Sequence, residues 1–289
     1  MWRIVWSAWA PACCFWPFGA RRKLAMHPIL FKLGPVSIFT YGFCLALAFL
    51  CGIGMAGREA KRLGVRVEQI YDLCFWIVVA ALVGSRLLHI LMSPAYFLDN
   101  PLEMVKLWKG GLAFQGGVIL AVMVSIFYMR RHQMPILGTF DILAVGAPLG
   151  QAIGRIGCFM AGCCYGRPCD YFWCVTFTDP QTLAPQGIPI HPTQLYESLL
   201  AFGNFAIILW LRKRKSFAGQ LTCAYLALAG LIRFVVEFFR GDFRGPVIVA
   251  GMPLTQVIAL LLAVGCGGWL LFRSWQLRSG KGSYLHTRT

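Results

Sequence analysis

Residues 70–92 read IYDLCFWIVVAALVGSRLLHILM. This run exceeds the about 20 mostly apolar residues that a helix needs to cross the hydrocarbon core of a bilayer. Six further runs of this kind lie at 36–56, 111–129, 136–160, 194–211, 219–239 and 252–272. The fourth, 136–160, is broken by Gly and Pro. The composition agrees with a lipid setting. Of 289 residues, 58% are hydrophobic and 13% charged, and the mean hydropathy is +0.66. A soluble domain carries about 25% charged residues, so most of this surface is not built for water. The fold class expected is all-α: a polytopic membrane protein of seven transmembrane helices.

The net charge of +16 does not read as a nucleic-acid footprint, because the basic residues sit in short loops between apolar runs. They read instead as topology signals and contacts to membrane lipids. Arg58, Lys61, Arg62 and Arg66 follow the first run, Arg130 and Arg131 the third, and Arg212 to Lys215 the fifth. Arg273, Arg278, Lys281 and Arg288 follow the last. The other loops hold only Lys106, Lys109, Arg167, Arg240 and Arg244. Positive-inside orientation then predicts a cytoplasmic C-terminus and an N-terminus outside. Residues 1–25 fit this poorly, since Arg21, Arg22 and Lys23 fall on the wrong side. Met26 is a candidate start, with 1–25 an extension, 26–278 the transmembrane domain and 279–289 a basic cytoplasmic tail.

Ionisable residues inside spans are costly and mark function by default. Topology alone places Tyr41, Arg86 with His89, Gln115, Arg155, and Arg233 with Glu237 in one layer near the outer headgroups. Arginine keeps its charge when buried and grips phosphate through a planar fork. Arg86, Arg155 and Arg233 therefore suit a phospholipid phosphate. Snorkelling, or pairing of Arg233 with Glu237 four residues on, is the structural alternative. Asp72 and Asp141, at the opposite membrane face, read as structural carboxylates at helix starts.

Four stretches carry a resemblance. They are Gly110 to Gly117 (GGLAFQGG), Gly154 to Arg167 (GRIGCFMAGCCYGR), His191 to Glu197 (HPTQLYE) and Arg233 to Arg240 (RFVVEFFR). In order and spacing they resemble the bacterial prolipoprotein diacylglyceryl transferase family, from about His27 to Arg278. The resemblance implies phosphatidylglycerol as donor and the lipobox cysteine thiol of a prolipoprotein signal peptide as acceptor. It also implies a thioether product, release of glycerol phosphate, no cofactor, and residence in the bacterial inner membrane. It maps functional roles onto Arg155, Arg233 and Tyr41, and a signature glycine onto Gly166.

The chain departs from the family pattern at Gln115, where a histidine is expected, and at Cys158, Cys163 and Ala229. Glutamine cannot serve as a base at neutral pH. His191 and His89 are substitute candidates, and a field from the arginines that ionises the thiol is another route. Arg155, Arg233, Tyr41, Gln115 and His191 are the catalytic candidates. Arg155, Arg233, Arg86, Gly166 and Glu237 are the candidates for phosphatidylglycerol binding.

Twelve cysteines occur. Cys158, Cys163, Cys164, Cys169 and Cys174 cluster after the fourth run. On an oxidising face, disulfides are the expected reading. The C-x4-C-C-x4-C-x4-C spacing is not a familiar zinc pattern, so no metal is expected, and a thiol carrying the diacylglyceryl group is a further alternative. An anionic-lipid transporter and a catalytically silent lipid- or signal-peptide-binding paralogue are the competing functions.

Overall fold

A computed structural model describes residues 23–24, 28–33, 36–105, 111, 113–242, 247–249 and 252–279. The proposed start at Met26, most of the N-terminal extension and almost all of the basic tail lie outside these residues.

The architecture is a helical bundle with a small β cap. Among the described residues seven long helices form: α1 (Thr40–Arg62), α2 (Val67–Met92), α4 (Phe114–Arg131), α5 (Ile136–Ala161), α6 (Thr193–Leu211), α7 (Gln220–Glu237) and α8 (Leu254–Arg278). A short helix, α3 (Pro94–Asp99), and a 3-10 turn (Pro101–Met104) follow α2. Six helices among the described residues are long and apolar enough to cross a membrane. The exception among the seven is α4. It has 18 residues, opens on Phe-Gln-Gly-Gly and closes on Arg130 and Arg131, which leaves a short apolar stretch.

The first apolar run is not helical throughout. Val36–Phe39 is strand β3, paired antiparallel with β2 (Ile29–Leu33), and the helix begins at Thr40. Another strand, β1 (Lys23–Leu24), lies parallel to β4 (Val175–Phe177), which pairs antiparallel with β5 (Pro189–Ile190). Val247–Val249 (β6) and Met252–Pro253 (β7) form a further pair before α8. Phe159, Val175, Phe177, Ala184 and Ile190 are buried together. The loop after α5 therefore has a core of its own and is fixed on the end of the bundle.

The central helix is α5, which packs on α1, α6 and α7 and more lightly on α4; α2 packs on α4, and α7 on α8. Small residues permit close approach where lipid supplies no hydrophobic drive between helices. A Cβ at Gly146 would strike the Gly52 backbone, and one at Gly84 would strike Leu120 and the Gly116 backbone. Pro148 lies inside α5, yet the helix runs unbroken.

Charge pairs tie the bundle at the end opposite the cap. Buried Glu59 of α1 accepts Arg62 and, at 3.0 Å, Arg212 after α6. Asp141 proves more specific than a carboxylate at its own helix start. It accepts the backbone N–H groups of Gly219 (2.7 Å) and Thr222 (2.9 Å), the Thr222 hydroxyl, and Lys215 at 2.8 Å. It thus caps α7 from α5, satisfying donors that a helix start leaves open.

Candidate active site

Arg155 projects from the last two turns of α5. Its Nη2 lies 2.7 Å from Oε1 of Glu197, in the second turn of α6. Glu197 is 1% exposed, and its other oxygen faces two more cations: Arg233 Nη1 of α7 at 3.5 Å and Arg240 Nη1 at 3.8 Å. Arg233 also pairs with Glu237 at 2.8 Å, and Arg240 donates through a fork to Asp242 at 2.9 and 2.8 Å. Three guanidinium groups from separate elements therefore meet on one buried carboxylate. Arg233 and Arg240 each have a further carboxylate. Arg155 instead directs Nη1 at sulfur, 3.7 Å from Cys164 Sγ and 4.0 Å from Cys158 Sγ.

The expected convergence of Arg155 and Arg233 is present, and Glu237 joins it. Two members were not anticipated. Arg240 reads as an ordinary loop cation, yet it is 5% exposed. Glu197 lies in the HPTQLYE stretch, where the sequence assigns it no role of its own. The signal that could have found it is a carboxylate within an otherwise acid-free apolar run, a placement that costs too much without a cationic partner.

Cys158, on the last turn of α5, and Cys163 and Cys164, in the turn beyond it, place their sulfurs within 4.8 Å of one another. All three are thiols, whereas Cys169 and Cys174 form a disulfide. The cluster thus divides into one disulfide and three neighbouring thiols. Cys164 takes a left-handed φ of 63°. Its carbonyl accepts the Thr193 hydroxyl at 2.8 Å, and the Cys163 carbonyl accepts Gln194 Nε2 at 2.7 Å. The start of α6 thereby holds the double-cysteine turn. Hydrogen bonds with Cys158 and Cys163, helped by the Arg240 guanidinium, draw the Cys164 thiol below the usual range. The same hydrogen bonds, to Cys158 and Cys164, push Cys163 above it.

Gly166 sits where three chain segments meet. Its N–H donates to the His191 carbonyl at 3.1 Å, and Gly241 N–H donates to the Tyr165 carbonyl at 3.1 Å. Arg167 N–H donates to Phe239 O at 2.8 Å, and Arg167 Nε to Arg240 O at 3.0 Å. A Cβ on Gly166 would fall 2.5 Å from His191 Cβ and 2.9 Å from Phe239 O. Close backbone approach explains this glycine directly.

The remaining candidates take different places. Tyr41 lies against Gly157 of α5, beside the arginine cluster and partly exposed. His191 precedes α6, its Nδ1 3.1 Å from the Tyr196 hydroxyl. Burial draws the His191 pKa below its ordinary value. Gln115 is exposed in the first turn of α4. Arg86 is 7% exposed. It donates Nε to Met104 O and Nη1 to Gly111 O, each at 3.1 Å, and Nη2 to Glu103 O, with Phe97 under the guanidinium. Its visible task is to hold the segment between α2 and α4 rather than to join the cluster on Glu197.

Comparison with known proteins agrees with this construction. The family model for prolipoprotein diacylglyceryl transferase matches residues 28–272. A phosphatidylglycerol–prolipoprotein diacylglyceryl transferase of Clostridium tetani is 31% identical over 239 residues, covering 83% of this chain and 94% of the relative. The protein of that name from Bordetella parapertussis is 33% identical over 254 residues, covering 86% and 95%. That from Geobacter sulfurreducens is 33% identical over 219 residues, covering 74% and 82%. A polytopic helical body, arginines gathered on a buried glutamate and a match over most of the length all point one way: the chain belongs to the prolipoprotein diacylglyceryl transferase family.

Proposed function

We propose that the chain transfers the diacylglyceryl group of phosphatidylglycerol to the lipobox cysteine of a prolipoprotein, forming a thioether and releasing glycerol phosphate. The observation that carries this reading is the meeting of Arg155, Arg233 and Arg240 on Glu197. Cleavage of the ester carbon–oxygen bond places charge on the departing phosphate. Guanidinium groups fixed in advance stabilise that charge without reorganising. Arg155 bridges the phosphate region and the thiols, while Arg233 and Arg240 hold the far side. Glu197 keeps three like charges together when no lipid is bound. Glu237 orients Arg233, and Tyr41 borders the site next to Gly157. Gly166 and His191 shape its rim through their backbones, and Gln115 offers a hydrogen bond at the start of α4.

In this reading the chain spans the inner membrane seven times, α4 included. The cap and arginine cluster face outward, where the signal peptide arrives, and the basic helix ends face the cytoplasm.

The test is complementation. Expressed in bacteria depleted of their own transferase, the chain should raise prelipoprotein mass by one diacylglyceryl unit. Arg155→Ala should lower transfer by about 10²–10³-fold, the loss typical of removing one group that stabilises transition-state charge. No mass gain from well-inserted protein would overturn the transferase reading in favour of a silent lipid or signal-peptide binder.

A further inference from the structure

We propose that Cys158, Cys163 and Cys164 form a three-thiolate zinc site whose fourth position takes the thiol of the acceptor cysteine. This reverses the sequence-based expectation of no metal. Its catalytic half rests on the transferase reading above; its metal-binding half does not.

The geometry is that of a site needing little closure. The three sulfurs already lie within 4.8 Å of one another. Around a zinc ion with bonds of about 2.3 Å, tetrahedral thiolates stand about 3.8 Å apart. The donors come from two firmly placed elements: Cys158 from α5, and the Cys163–Cys164 turn from its clamp on Thr193 and Gln194. Cys158 is 9% exposed, and the other two are half-buried, which leaves a path for an ion. Thiolate sets select zinc and other soft ions. Three thiolates on a dication carry one surplus negative charge. Arg155 Nη1, at 3.7 and 4.0 Å from two of the sulfurs, supplies the compensating cation and the second shell that orients ligands.

Structural zinc sites have four protein ligands, whereas catalytic sites have three and an exchangeable position. Among the described residues no fourth side-chain ligand joins these three; Cys169 and Cys174 are bonded to each other, and His191 is engaged with Tyr196. The fourth position is therefore available to substrate. A thiol that binds zinc loses its proton outright, and here that proton passes to water. The zinc-bound sulfur then attacks the glyceryl carbon of phosphatidylglycerol. A carbon–sulfur bond forms, the carbon–oxygen bond breaks, and its electron pair leaves on the phosphate oxygen of glycerol phosphate beside Arg155. The product is an uncharged thioether, a weaker ligand than a thiolate, so it departs. This assigns to the metal the deprotonation that Gln115 cannot perform.

Cobalt reports the site without activity. Titration of the reduced full chain in detergent should produce thiolate-to-cobalt charge-transfer bands that saturate at one ion per chain. The bands should vanish in the Cys158→Ser, Cys163→Ser, Cys164→Ser triple variant and persist in Cys169→Ser, Cys174→Ser. Absence of the bands, equal bands in the triple variant, or a disulfide among these three cysteines in native membranes would overturn the site. A lipobox peptide should then shift the ligand-field bands of the cobalt protein, and its Cys→Ser form should not. Identical spectra with both peptides would overturn substrate coordination. A cysteine-dependent shift without any transfer from phosphatidylglycerol would leave the metal site standing and defeat the transferase reading instead.

Discussion

Glu197→Gln keeps the size of the side chain and removes one charge from the centre of the cluster. Glu197 is 1% exposed, and three guanidinium nitrogens lie 2.7, 3.5 and 3.8 Å from its oxygens. Breaking a buried ion pair costs about 3–5 kcal/mol, because a charge is left without its partner. Glu237 and Asp242 continue to compensate Arg233 and Arg240, and the Arg155 side chain is 22% exposed. The cost therefore belongs at the lower end, about 3 kcal/mol. By the scaling of unfolding entropy with chain length, thermal unfolding falls on the order of 5 °C. The informative assay is unfolding in detergent with added lipid. If the arginines face a lipid phosphate, phosphatidylglycerol supplies the missing anion. It should then raise the Tm of Glu197→Gln more than that of the unaltered chain, while zwitterionic phosphatidylcholine should not. Equal stabilisation of both proteins by phosphatidylglycerol would refute the placement of the phosphate on this cluster.

Other consequences are open to measurement. Gly166→Ala should destabilise the cap by about 1–3 kcal/mol, as overpacking does, since the new methyl meets His191 and Phe239; protease sensitivity of the 163–191 loop would report it. Breaking the Cys169–Cys174 disulfide, whose cysteines are five residues apart, should cost about 2 kcal/mol by loop-closure entropy, seen as a lower Tm in reductant that the Cys169→Ala, Cys174→Ala variant no longer shows. His191 has a pKa lowered by burial, so its neutral form is favoured in the folded state. Its contribution to stability is complete above the ordinary histidine pKa of about 6.5 and declines as pH falls through that value toward the folded-state pKa. A Tm difference between about pH 7.5 and about pH 5.5 that persists unchanged in His191→Gln would contradict this.

The helices were legible because a lipid-facing segment announces itself by length and apolarity within one stretch of chain, as 70–92 does. Arg155 and Arg233 were legible for the complementary reason: a cation in such a stretch needs a purpose. Features made by distant partners were not legible. Glu197 gains its meaning only when α5, α6 and α7 come together, and nothing within HPTQLYE says that three arginines will surround it. Hydropathy places Arg240 in a loop and stops there. It cannot show that the loop folds back under Tyr165 and Gly166. Nor can it show that Arg86 donates to carbonyls 17 to 25 residues away. The second strand of the β hairpin before α1, Val36–Phe39, was absorbed into a span, since Val, Ile and Phe suit a strand as well as a membrane helix.

The backbone ties among Tyr165–Arg167, His191 and Phe239–Gly241 have a thermodynamic consequence. They join the far ends of α5 and α7 to the start of α6, so the guanidinium bearers are locked as one unit when the chain folds. The ordering entropy is settled at that stage, and an incoming headgroup need not bring it about again. Such a rigid receptor discriminates by the size and charge of its guest, and cannot adapt its own shape to accommodate a misfit.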